Sequence, residues 1–89
     1  MIAIDEEQCL ELVKKSNLIT GNYLDDMLSQ KIKEVKSFMI FCGVSEDIVN
    51  SDIAIGTLAI GVNDLYSPQG TSGAQKFSEY FFQRVYQLR

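Results

Sequence analysis

Residues 24–42 carry the clearest helical pattern in the chain and read LDDMLSQKIKEVKSFMIFC. Apolar residues recur there every three or four positions, which places them along one side of an α-helix. These positions are Leu24, Leu28, Ile32, Val35, Met39 and Cys42. Asn22 is suited to cap the start of this helix, and Gly43 is suited to end it. We therefore predict a long helix here, with Lys33 and Glu34 on its solvent side.

Helical periodicity also appears on both sides of this segment. A first helix is predicted from about Asp5 to Ser16, with Cys9, Leu12 and Val13 on its inner face. The last helix is predicted to start between Ala74 and Ser78 and to run to the end of the chain. Acidic residues fill the first turn of the first helix, where they oppose the helix dipole.

The third helix is predicted from Ser51 to near Tyr66, after a short helical turn over residues 45–50. It is apolar on nearly all sides, so we place it in the middle of the bundle. Gly56 and Gly61 each weaken a helix by roughly 1 kcal/mol relative to alanine. We attribute them to the close approach of a neighbouring backbone. The predicted fold is all-α, a small bundle of about four helices.

The chain length and composition indicate one domain over residues 1–89, with 46% apolar and 22% charged residues. No apolar run reaches the roughly 18 residues that a membrane span needs. The opening residues MIAIDEE become acidic at once, so we expect no secretory signal. We accordingly expect Cys9 and Cys42 to be free thiols in a reducing compartment. A disulfide or a shared metal is the alternative.

Catalytic residues are not evident in the sequence. Most of the acidic residues stand at predicted helix starts, where carboxylates accept from free N–H groups. The chain has no histidine, which is the usual base for a serine or cysteine nucleophile and a common zinc ligand. We therefore predict a protein that is not an enzyme and that has no catalytic residue, cofactor or metal. An enzymatic role would require a cofactor to supply the chemistry.

The charge balance argues against general binding of nucleic acid. Eight basic and twelve acidic residues give a net charge of −4, whereas a general binder neutralises phosphates with lysine and arginine. The basic residues concentrate at Lys14, Lys15, Lys31, Lys33 and Lys36. We interpret this concentration as a solvated helix surface. A patch that contacts phosphates is the alternative.

Aromatic residues concentrate at the C-terminus, where the last thirteen residues hold five of the nine. On a helix, Phe77, Phe81, Val85 and Leu88 share one side, which we assign to the core. Phe82 and Tyr86 form an i, i+4 pair on another side, and Tyr80 is nearby in sequence. We predict that Phe82, Tyr86 and Tyr80 belong to a protein interface, with additional core packing as the alternative.

Two segments carry a resemblance to a known family. Residues 54–66 read AIGTLAIGVNDLY and residues 76–88 read KFSEYFFQRVYQL, on either side of a loop rich in glycine and serine. This resembles the head–tail connector proteins (head-completion, DNA-packaging) of tailed bacteriophages and their prophage relatives. The likeness is strongest over residues 54–88, with weaker likeness in 25–28 and 41–43. The loop containing Pro68 departs from the pattern.

The resemblance implies a structural subunit of a homo-oligomeric ring that extends the portal DNA channel and docks the tail. Its implied partners are other copies of itself, the portal protein and the next tail-side component. DNA would pass through without specific binding, and no membrane would be involved. The implied location is the bacterial host cytoplasm during assembly, then the head–tail junction of the virion.

A small DNA-binding or regulatory protein of a phage or mobile element is the alternative function. The lysine concentration is the feature that would support it, because such a protein must contact phosphates.

Overall fold

The structure, a computed structural model, describes residues 2–66 and 77–89. The helices are α1 (Glu6–Ser16), α2 (Asp25–Phe41), α3 (Glu46–Val49), α4 (Ile55–Tyr66) and α5 (Glu79–Leu88), with a 3₁₀ helix over Asp52–Ala54 before α4. Within these ranges the chain is 73% helical and forms no β-strand, so the all-α prediction is confirmed. A single isolated β-bridge joins Ala3 to Ser51.

Of the first two helices, α1 has a side-chain N-cap and α2 has none. Asp5 caps α1 in a capping box, because its carboxylate accepts from Gln8 N at 2.7 Å while the Gln8 side chain accepts from Asp5 N at 3.2 Å. The predicted cap at Asn22 is wrong, since α2 starts after Leu24 and has no side-chain cap. A backbone hydrogen bond from Asp25 N to Asn22 O closes a turn at residues 22–25 and delays the helix.

The core forms where α4 passes between α1, α2 and α5, as predicted for the third helix. Its inner residues Leu58 and Val62 are fully buried. The apolar side of α2 packs against them, and its buried members are Leu28, Ile32, Val35 and Met39. The predicted inner face of α1 is correct for Cys9 and Val13.

Lys14 replaces Leu12 on the buried side of α1. Leu12 is 37% exposed and Lys14 only 5% exposed, so the predicted positions of both side chains are wrong. Lys14 is buried because its ammonium has partners there, donating to Asp25 Oδ1 at 2.8 Å and to Asn22 Oδ1 at 3.3 Å. A lysine is buried only when its charge is paired in this way. The pair joins α1 to the start of α2.

Helix α5 runs antiparallel to α4 and contacts both α4 and α2. Ser78 N and Ser78 Oγ both donate to Asp64 Oδ2 at 2.9 Å, which fixes the start of α5 beside the end of α4. Ser78 Oγ also caps α5 by accepting from Phe81 N. The Phe38 ring of α2 lies 6.1 Å from that of Phe81. Contacts with both α4 and α2 therefore fix the position of α5.

Two glycines of α4 face side chains of α5. A Cβ at Gly61 would lie 2.7 Å from the Phe81 ring and 2.8 Å from the Val35 side chain, and a Cβ at Gly56 would lie 2.7 Å from the Arg84 guanidinium. The prediction of a close neighbouring backbone is therefore wrong, because side chains make the close approach. At Gly61 those side chains are buried; at Gly56 the neighbour is the end of a flexible arginine.

We expect Gly61→Ala to lower the free energy of unfolding by about 1–2 kcal/mol, and Gly56→Ala to leave it unchanged or raise it slightly. Overpacking costs roughly 1–3 kcal/mol, and the better helix propensity of alanine recovers at most about 1 kcal/mol. The Arg84 end can move away, whereas Phe81 and Val35 cannot. Urea unfolding of both variants tests this, and equal stability of the two would contradict the packing described at Gly61.

Candidate functional site

The predicted interface residues divide between the surface and an aromatic cluster. Tyr80 and Tyr86 are 56% and 62% exposed. Phe82 is half-buried, and its ring centroid lies 5.9 Å from that of Phe38. It belongs to a cluster of phenylalanine rings comprising Phe38, Phe77, Phe81 and Phe82. The two tyrosine side chains are thus accessible at the surface, whereas Phe82 packs α5 against Phe38 of α2.

Tyr80 is paired with Arg84 of the same helix, and Tyr86 is paired with Arg89, the residue that directly follows α5. Arg84 Cζ lies 5.9 Å from the centre of the Tyr80 ring, and Arg84 Nη1 donates to the Tyr80 hydroxyl at 3.2 Å. Arg89 Cζ lies 5.4 Å from the centre of the Tyr86 ring. A guanidinium over an aromatic ring is a cation–π contact, and it favours this placement of both side chains. The arginines were missed from sequence, although the i, i+4 spacing of Tyr80 and Arg84 indicates the first pair.

The two pairs lie on opposite flanks of α5. Arg84 reaches onto α4 at Gly56, and Arg89 lies over Gly43 just beyond the end of α2. Exposed glutamines occupy the side of α5 between them. We call this surface the α5 outer face, and its residues are Tyr80, Gln83, Arg84, Tyr86, Gln87 and Arg89. It offers aromatic area and amide groups, with one guanidinium group at each of its two edges.

The charge of the α5 outer face is opposite to that of the rest of the described chain. Residues 77–89 contain two arginines and one glutamate, which give a net charge of +1. Residues 2–66 contain five lysines and eleven acids, which give −6. Phe41, at the end of α2, is 86% exposed and lies two residues before Gly43, which Arg89 overlies. The outer face is therefore a basic, aromatic surface on an acidic molecule.

A pocket of about 350 Å³ lies on the side of α2 that faces away from α5. Its lining residues are Ile4, Asp5, Glu6, Cys9, Ser29, Ile32, Lys33, Lys36 and Asn50. Lys36 Nζ donates to Asn50 Oδ1 at 3.1 Å. Burial raises the pKa of the Cys9 thiol above its usual range, and the Lys36 ammonium partly opposes this. Cys9 is thus held as a protonated thiol, which is a poor nucleophile at neutral pH.

Metal-ligating groups do not converge in residues 2–66 and 77–89, where no three Cys, Asp or Glu side chains are placed to hold one ion. Cys9 and Cys42 are both free thiols. Across the same ranges, no helix has the length and apolar character that crossing a bilayer requires.

The lysines do not form one surface. Lys14 is buried against Asp25, so the interpretation of all five lysines as a solvated surface is wrong for this one. Lys31 and Lys33 are two positions apart on α2 and therefore point about 200° apart. Lys36 is engaged with Asn50. Lys33 and Lys36 line the same pocket, but no one surface contains all five lysines.

Comparison with known proteins assigns no family: no family model matches the chain, and no curated protein or solved structure matches it at a significant level.

We expect Cys9 to react with a thiol reagent much more slowly than Cys42 in the folded protein, and at equal rates after unfolding. Cys9 is buried and Cys42 partly exposed, so the reagent reaches Cys42 more easily, and the raised pKa of the Cys9 thiol slows Cys9 further. Because the Cys9 pKa is raised, its rate should rise only at more alkaline pH than that of an ordinary thiol. Reaction with a chromogenic disulfide, with Cys42→Ser isolating Cys9, measures this; a fast-reacting Cys9 at neutral pH would contradict the assignment.

Proposed function

We propose that this protein is a non-catalytic assembly subunit whose α5 outer face contacts neighbouring proteins. The supporting observation is the pairing of exposed Tyr80 and Tyr86 with Arg84 and Arg89. Tyrosine and arginine are among the residues that most often dominate binding energy at protein interfaces. Pre-ordering each pair on a helix lowers the entropy lost when a partner binds.

The form of assembly that we propose is a homo-oligomeric ring at the head–tail junction of a phage or prophage. The resemblance over residues 54–88 supports it, and this stretch contains α5, which carries every residue of the outer face except Arg89. In this role the ring extends the portal DNA channel and docks the tail. Its partners are other copies of the chain, the portal protein and the next tail-side component, in the host cytoplasm and then in the virion.

A conduit for DNA is compatible with the charge of this protein. The chain has a net charge of −4, and among the described lysines Lys14 and Lys36 donate hydrogen bonds to Asp25 and Asn50. Phosphates are held by concentrated positive charge, so DNA would slide past such a surface rather than adhere to it. The same observations weigh against the DNA-binding alternative.

We expect Tyr86→Ala to abolish assembly without changing the melting temperature of the chain, and Phe81→Ala to destabilise the fold. Tyr86 is exposed, so its truncation removes little packing. Phe81 is fully buried, and its truncation costs roughly 3–5 kcal/mol. Thermal melts combined with sedimentation velocity separate the two effects, and Tyr80→Ala tests the second pair in the same way.

Two results would contradict the role assigned to Tyr86. Tyr86→Ala unfolding as readily as Phe81→Ala would show that Tyr86 serves the core. A Tyr86→Ala variant that melts and assembles like the original chain would remove the α5 outer face from the interface and contradict the proposal.

We expect no detectable binding of duplex DNA at physiological salt and micromolar protein. The physical reason is the net negative charge together with the engagement of Lys14 and Lys36 in hydrogen bonds. Fluorescence anisotropy with a labelled duplex at several salt concentrations measures this. Tight binding that falls steeply as salt rises would favour the DNA-binding alternative.

A further inference from the structure

We infer that the α5 outer face of one copy docks on the acidic N-terminal side of a second copy, in a head-to-tail contact. The inference rests on the proposed assembly function and names the surface that receives α5. We define the acidic N-terminal side by its exposed residues Ile2, Asp5, Glu6, Glu7 and Asp52.

Backbone and side-chain hydrogen bonds join these residues into one surface. Ile2 N donates to Asp52 Oδ1 at 2.9 Å, and Asp52 N donates to Ile2 O at 2.8 Å. Ile4 N donates to Asn50 O at 3.0 Å. The segment before α1 is thus tied along residues 50–52, so the carboxylate of Asp52 lies on the same side of the molecule as the acidic start of α1. Ile2 adds exposed apolar area to this side.

The two surfaces lie on opposite flanks of α2. Lys36 lines the pocket with Asp5 and Glu6, whereas Phe38 contacts the rings of α5. Lys36 and Phe38 are two positions apart on one helix, so their side chains point about 200° apart. A basic surface on one flank and an acidic surface on the other cannot meet within one copy. They can meet between copies.

The charges on both surfaces lack oppositely charged partners within the described residues. Every ion pair within 4.0 Å there involves Lys14, which contacts Glu11 and Asp25. Arg84 and Arg89 therefore contact tyrosine rings and no carboxylate at that distance, and the carboxylates of the acidic N-terminal side contact no cation within it. Docking would supply each set with its counter-charges.

The pairing of unlike surfaces determines the geometry of assembly. A contact between two different patches is heterologous, and it propagates from copy to copy until it closes into a ring or extends as a filament. Charge complementarity mainly sets orientation and association rate. The tyrosines and Ile2 supply the apolar area that leaves water on docking.

A charge exchange tests the contact. One variant carries Arg84→Glu and Arg89→Glu, and a second carries Glu6→Lys and Glu7→Lys. We expect each alone to remain monomeric at concentrations where the original chain assembles, because each then opposes like charges. Mixed in equal amounts, the two should regain assembly at least tenfold more strongly than either alone, since both kinds of contact then join opposite charges. Sedimentation velocity measures the assembly.

A matched control is Glu46→Lys with Asp47→Lys, which makes the same charge change at exposed residues of α3. It should assemble like the original chain, and thermal melts of all variants confirm that they fold. Loss of assembly in the control, continued assembly of either exchanged variant, or a mixture that stays monomeric would overturn this contact while leaving assembly through another surface. An original chain that never self-associates would overturn the proposed ring itself.

Discussion

The close packing of the Phe81 ring and the Val35 side chain on Gly61 is the constraint on which the rest of this fold depends. Because Gly61 has no side chain, the Phe81 ring of α5 and the Val35 side chain of α2 can both pack directly on α4. A side chain at this position would push α5 outward and open the ring cluster around Phe38. Because interiors are packed as densely as crystals, such a shift is not absorbed locally.

The position of α5 follows from this contact, and the character of its outer face follows from its position. Once Phe81 and Val85 are buried, helical geometry directs Tyr80 and Tyr86 to the surface, each beside an arginine. Phe82 is half-buried and belongs to the cluster of phenylalanine rings. One helix thus both closes the core and presents the basic, aromatic surface that we propose for assembly.

The N-terminal side is organised by polar contacts instead. Lys14 binds Asp25 across the connection between α1 and α2, and the Asp52 carboxylate accepts a hydrogen bond from Ile2 N beside the 3₁₀ helix. The second contact joins segments that are distant in sequence, and both leave the acidic residues of α1 exposed. The result is a molecule whose two flanks differ in charge, and this difference is the basis of the head-to-tail contact that we infer.

The sequence by itself determined the all-α class, the long α2 with its buried stripe, the central place of α4 and the inward side of α5. Each of these depends on helical periodicity, which is a local property of consecutive residues. Only the tertiary structure decided that Lys14 is buried in place of Leu12, that α2 starts at Asp25, and that Gly61 receives side chains from two helices. It also decided that Phe82 joins the ring cluster while Tyr80 and Tyr86 stay exposed beside arginines. These features depend on which elements meet in space, and the spacing of residues along one helix does not contain that information.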